Sequence, residues 1–588
     1  MARSFSSSPR LLLLAAVWLF PYSVMSATPA SGGYPSLVQL WTQWRQFEPP
    51  VIKNCVPDYR SAAMTEKALR LAAFQQQLAA IGVSQWSVAQ LGDKKLVAAE
   101  MSGMDFDLRV LKPWARDPSF YANVYGEDSD VPEHEGPSIS PAIDLQGYEY
   151  PLSKADQKKL TCLIGAIPAL LEQAKVNLRD SNARDLWLYG GRAFREQSST
   201  LAAYAAGTLE MRTLAGTKHA DMSGADPTLL DSIGKARAAT DAFRAWIELE
   251  APKKTGPSGV GKENYDWCAR NVHLLSYTWD EQVTLLRSEL SRARASLALE
   301  KFRNRDLPPL EPVDDPQAWH AMAAAKMQTL VDFLIDNRLV DDQPYFRAAM
   351  AAQLGAYTTP GERNFFAHGA ARDPSALYSH EYHWIELARR KHEPNQSLIR
   401  AATPLYDMYD SRSEGLATAM EELLMDAGLY DKSPRGREIV WAMLANRAAR
   451  GLASLYVQAN EMTLEEAGRF HGLWTPRGWS DPKSDLVAFE QLLYLRQPGY
   501  GTSYITGKLE LERLLSEYSL QQEQTGKKFN LAEFFRALNA SGIIPFSLIT
   551  ADMVGESLAI RQERGATAAL SMRRRAAADG LLSKARTD

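Results

Sequence analysis

The chain reads as a mainly α-helical globular protein. Runs rich in Ala, Leu, Gln, Glu and Arg at helical spacing cover most of its length. Prolines and glycines gather in a few short segments between those runs. With 588 residues, 45% hydrophobic and 23% charged, there is material for one large or two ordinary cores. The formal net charge of -4 is small for that size, which leaves no strong electrostatic case for a nucleic-acid or anionic-membrane partner.

At the N-terminus, Arg3 and Arg10 give a positive segment ahead of an apolar stretch from Leu11 to Phe20, and the small-residue zone Val24-Met25-Ser26-Ala27 follows. This is the pattern of a secretory signal, so residues 1–27 are expected to be removed and the mature chain to begin near Ala27 or Thr28. An uncleaved anchor is the alternative. No later segment reaches about 18 uninterrupted apolar residues, which predicts no stable membrane insertion after signal removal.

Helical runs then cover about 65–80, opening with Thr65-Glu66-Lys67-Ala68-Leu69-Arg70-Leu71, and 155–175, 183–215, 227–250, 278–302 and 316–337. Breaks are predicted at Val131 to Pro141, Ala251 to Gly261, and Leu307-Pro308-Pro309-Leu310-Glu311-Pro312. Three prolines in five positions cannot lie inside a helix. That segment is therefore the expected boundary between an N-terminal helical region, 28–306, and a C-terminal one, 313–560. Residues 561–588, with Arg573-Arg574-Arg575, read as a solvated tail or frayed helix.

Cys55, Cys162 and Cys268 lack metal-ligand spacing. Two of them can pair in an oxidising compartment, and three buried thiols are the alternative. The sequons at Asn395 and Asn539 carry weight only in a eukaryotic secretory pathway.

Chemistry concentrates at Tyr378-Ser379-His380-Glu381-Tyr382-His383, followed by Glu414-Gly415 and Glu421. A His beside a Glu on one helix, with carboxylates from a second helix, assembles a divalent-metal site with a general base next to it. On a helix over 375–391, His380, His383, Trp384 and Leu387 form one stripe, so both imidazoles face one point. The same stripe also fits an ordinary buried face with hydrogen-bonded histidines, because Trp384 holds the place of the second ligand in H-E-x-x-H. Ser413 is the expected N-cap of a helix that carries Glu414 and Glu421 on one face and ends at Gly428.

Taken together, these segments resemble domain-of-unknown-function family 885, a largely bacterial family whose members look like zincin-type metallopeptidases. Its H-E-x-x-P-G-H-H segment falls on residues 380–387, and its E-G-W-A-x-Y-x-E segment on 414–421. Its R-x-x-R helix with a later D-T-G-x-H resembles Arg447-Ala448-Ala449-Arg450 running on to Gln458. Its P-G-Q-x-x-S-Y-x-x-G segment is similar to Pro498 through Gly507, and its closing F-H-x-x-x-L-x-x-G-x-x-P-L to Phe534 through Phe546. A stretch near the middle, Gly261 to Tyr265, is shared as well.

Five polar positions depart from that pattern. Pro-Gly is Trp384-Ile385, the histidines after it are Glu386 and Leu387, the later Asp and His are Ser454 and Gln458, and the closing histidine is Phe535. His380, Glu381, Glu414, Glu421 and Tyr504 remain. With Pro-Gly gone, a continuous helix lets His383 replace the lost ligand, while Glu386 sits about 120° around from His380.

The resemblance implies a zincin-like helical protein with a central cleft, exported to a periplasm or beyond. It implies a metal-dependent hydrolase of amide bonds in peptides or small amino-acid conjugates. In that scheme His380, His383 and Glu414 hold zinc, Glu381 is the general base and Tyr504 steadies the oxyanion, with Glu386, Glu421 and Arg450 as further site residues. The alternative is a diverged relative that has lost peptidase chemistry and performs another reaction in the same pocket, or only binds.

Overall fold

The computed structural model describes residues 33–128 and 142–555. The signal segment, the break at 131–141 and the Ala/Arg-rich tail lie outside them. The described chain is mainly helical, and none of its helices is long and apolar enough to cross a membrane.

It opens with α1 (Tyr34–Phe47), α2 (Ser61–Ala80) and α3 (Val88–Phe106). Helix α3 starts at a capping box in which the Ser87 hydroxyl accepts from the Gln90 N–H and the Gln90 side chain accepts from the Ser87 N–H. The run predicted at 155–175 is two helices, α4 (Lys154–Gly165) and α5 (Ile167–Asn177). Pro168 in the first turn of α5 has no N–H to continue the earlier ladder.

The run predicted at 183–215 is also shorter than expected. Helix α6 (Arg184–Ala206) stops at Gly207, which takes a left-handed φ of 66°. The chain then turns back as an antiparallel hairpin of β1 (Glu210–Thr213) and β2 (Gly216–His219), with Glu210 opposite His219. Helices α7 (Pro227–Glu250), α8 (Trp279–Arg303) and α9 (Pro316–Asp336) follow close to the predicted bounds. Cys55 and Cys162 form a disulfide that ties the segment before α2 to α4, and Cys268 is a buried thiol.

The second half holds α10 (Ser375–His380), α11 (Tyr382–His392), α12 (Asp410–Asp426), α13 (Arg437–Gln458), α14 (Asp485–Arg496), α15 (Tyr500–Gln524) and α16 (Leu531–Ser541). One hydrophobic core runs from Leu37 to Val554 and takes side chains from both sides of the proline segment at 307–312. Helix α8 lies along α13, and α12 lies along α15.

Helices α12 and α13 are central, with Asp410 to Met420 and Glu438 to Gln458 all buried. Charged groups on such helices must find partners inside the protein. Where α12 meets α15 the backbones touch. A methyl group at Gly415 would collide with the Gly507 backbone, and one at Gly507 would collide with the Ser411 carbonyl. These two glycines bring Glu414 within reach of the tyrosines on α15.

Candidate metal centre

The helix expected over 375–391 is interrupted at Glu381, whose ψ of 9° departs from α geometry. The Trp384 N–H donates to the Glu381 carbonyl, closing a tight turn of the 3₁₀ type. His380 and His383 flank the break at Glu381 and project together, with ring centroids 5.1 Å apart. Their convergence therefore does not need the continuous helix that the sequence predicts. Glu381 sits at the break and is half-buried.

Both imidazoles face α12. His380 Nε2 lies 3.2 Å and His383 Nε2 3.1 Å from the same atom, Glu414 Oε2. One ligand atom from each of the three residues can be chosen so that all lie within 4.8 Å of one another, and all three residues are buried. Metal–nitrogen bonds of about 2.0–2.1 Å in a tetrahedron put neighbouring donors roughly 3.3 Å apart, so this spacing fits a zinc-sized ion. The other carboxylate oxygen, Glu414 Oε1, accepts from the Tyr500 hydroxyl at 2.5 Å and the Tyr504 hydroxyl at 3.0 Å. Burial opposes ionisation of Glu414, but the imidazoles of His383 and His380 outweigh it and hold the carboxyl well below the usual range.

Further buried charge pairs surround the cluster. Glu421 is gripped by Arg447 at 2.6 and 2.9 Å, and its Oε1 lies 3.0 Å from His380 Nδ1, an ion-pair distance without hydrogen-bond alignment. A carboxylate at the far nitrogen of a ligating imidazole is the usual way to orient the ring. Arg450 pairs with Glu490 and lies over the Tyr504 ring at 4.3 Å. Tyr504 in turn stacks on His380 with an interplanar angle of 15°.

Glu386 points away from the cluster and takes both arms of Arg412, at 2.6 and 3.0 Å. Ser413, expected as the N-cap of α12, is inside the helix, which begins at Asp410 with Tyr409 as N-cap. The three departed positions downstream do packing work. Ser454 donates to the Gly451 carbonyl, Gln458 donates to the Tyr494 and Leu495 carbonyls, and Phe535 is fully buried.

Sequence reasoning missed Tyr500, Arg412 and Glu490. Glu490 carried a signal, as the lone charge in the largely apolar stretch from Leu486 to Leu495. Arg412 and Tyr500 gave none, because their roles follow from how α11, α12 and α15 cross.

These residues lie mostly within one recognisable stretch. The model of a family described as "Bacterial protein of unknown function (DUF885)" matches residues 383–553. No curated protein matches the chain. A candidate lipoprotein of unknown function from Shewanella oneidensis has the same fold, with a TM-score of 0.61 and 15% identity over 88% of this chain and 98% of its own. A candidate lipoprotein from Colwellia psychrerythraea is similar at a TM-score of 0.61 and 13% identity, over 88% of this chain and 97% of its own.

Proposed function

We propose that the chain is an exported, metal-dependent hydrolase of amide bonds in peptides or small amino-acid conjugates. The carrying observation is the convergence of His380 Nε2 and His383 Nε2 on one Glu414 oxygen, at 3.2 and 3.1 Å. Two imidazoles and one carboxylate suit zinc. A divalent ion held by that set supplies Lewis acidity and makes water nucleophilic near neutral pH.

The chain's own groups do the rest. Glu381, next to His380 and more exposed than the three donors, takes a proton from the attacking water. It returns that proton to the amine as the C–N bond breaks and the C–O bond forms. Glu421 and Arg447 orient His380, and Tyr500 orients Glu414. Tyr504 also donates to Glu414, so its role is positioning unless substrate displaces that bond. Export is supported by the signal-like N-terminus and by the lipoprotein description of both similar structures.

One observation favours a second reading, a diverged relative without this chemistry. Both oxygens of Glu414 already have partners within the chain, so the network can stand as a buried polar knot. Elemental analysis separates the two. Wild-type protein should carry about one equivalent of zinc, lost in His380→Ala and Glu414→Ala, while Glu381→Gln keeps the metal and loses hydrolysis. Metal-free wild type, or equal metal in all four proteins, overturns the hydrolase reading.

A further inference from the structure

A cavity of about 550 Å³ is lined in part by the two helices that carry the cluster. Helix α11 lends it Glu386 and Arg389, three and six residues past His383, and α12 lends Arg412, two residues before Glu414. Ile543 in its wall packs in one apolar group with Tyr500 and Tyr504, the two tyrosines bonded to Glu414. The cavity and the candidate centre thus share α11, α12 and the apolar group around Tyr500 and Tyr504.

The lining is cationic in a protein of net charge -4. Arg338, Arg389, Arg390, Arg400, Arg412 and Arg536 face it, against Asp341, Glu386 and Glu393, which leaves a formal excess of three positive charges. Several of these charges are already engaged. Arg412 is held by Glu386, Arg400 by Asp93 and Asp552, and Glu393 accepts from the Tyr345 hydroxyl. Arg338, Arg389 and Arg536 make no salt bridge among the described residues, and Arg338 and Arg536 are exposed.

Guanidinium groups around a concave space match the planar fork of carboxylates, and the volume is that of a small-molecule site. We propose that this cavity binds the carboxylate-bearing end of an acidic ligand. On the hydrolase reading, on which only this step rests, the ligand is the substrate, an acidic peptide or an amino-acid conjugate whose amide reaches the centre from this side.

Calorimetry on the mature protein tests it with N-acetyl-Glu-Glu, uncharged N-acetyl-Gln-Gln-amide and inorganic phosphate as separate titrants. The acidic dipeptide should bind at least about tenfold more tightly than the diamide, with affinity falling as salt rises. Combined Arg338→Glu and Arg536→Glu should weaken it by about tenfold or more with an unchanged melting temperature, since both side chains are exposed and unbridged. Equal binding of acid and diamide, no response to charge reversal, or phosphate binding as tight as the dipeptide overturns the proposal. Binding needs no turnover, so the two readings fail separately. A metal-free protein that still prefers the acidic probe keeps the cavity and loses the hydrolase, and a zinc hydrolase indifferent to the probe's charge does the reverse.

Discussion

At the scale of single residues, the decisive contrast is between His383 and Glu386, three positions apart on α11. His383 meets Glu414, whereas Glu386 is tied to Arg412. His383→Ala should release bound metal, because it removes a ligand. Glu386→Gln should keep the metal and cost about 1–3 kcal/mol of stability, because Arg412 loses a charged partner in the interior. Metal content and urea unfolding of both variants check this, and loss of metal from Glu386→Gln would sink the ligand assignment. Glu510 gives a pH signature. Burial pushes its carboxyl up to about 7, with Arg513 lowering it only in part. A raised folded pKa means the native state binds more protons, so this group's stabilising contribution is full below about 4.5 and is lost as pH rises toward 7. Glu510→Gln should flatten that fall and be relatively more stable at pH 8 than at pH 4.5, by urea titration at both values.

At the scale of elements, the site depends on how closely α12 and α15 approach. Gly415 and Gly507 permit backbone contact, and only then do Tyr500 and Tyr504 reach Glu414. Gly507→Ala should cost about 1–3 kcal/mol or more through overpacking, and should also weaken metal binding as the tyrosines withdraw. Gly234 is the control. It lies in the interior of α7, exposed, with nothing near the position of an added methyl. Gly234→Ala should stabilise by about 0.5–1 kcal/mol. Paired chemical denaturation curves decide the matter, and the same sign for both substitutions would refute the packing argument. The 3₁₀-type turn at Glu381 belongs to this scale too, since it breaks the expected helix between His380 and His383 and leaves both facing Glu414.

At the scale of the molecule, one core spans both sides of the proline-rich segment, and the Cys55–Cys162 bridge closes a loop of sequence separation 107 in its first part. A cross-link over such a loop removes freedom chiefly from the unfolded chain and contributes about 2–5 kcal/mol. Reduction with a thiol and the double substitution of Cys55 and Cys162 by Ser should lower the unfolding midpoint by similar amounts, with Cys268→Ser as the separate test of a packed thiol. No shift on reduction would mean the bridge is absent in solution.

Helical class was legible from the spacing of apolar residues, because that period is a local property of the chain. The bounds of α2, α7, α8 and α9 followed the same signal, while Pro168 and Gly207 cut two runs that periodicity alone had joined. His380, His383, Glu414 and Glu421 stood out as residue types at telling intervals. Which of them meet was decided only by tertiary structure. The glycine crossing of α12 and α15 and the diversion of Glu386 to Arg412 depend on contacts between segments distant in sequence, and the tight turn at Glu381 breaks a helix that local periodicity runs through. The arginine-lined cavity was invisible for the same reason, since its residues span 338 to 543 and share no sequence period. Local propensity acts within a turn or two of chain, whereas a site is fixed by long-range packing that pairs each buried charge with whatever group the fold delivers.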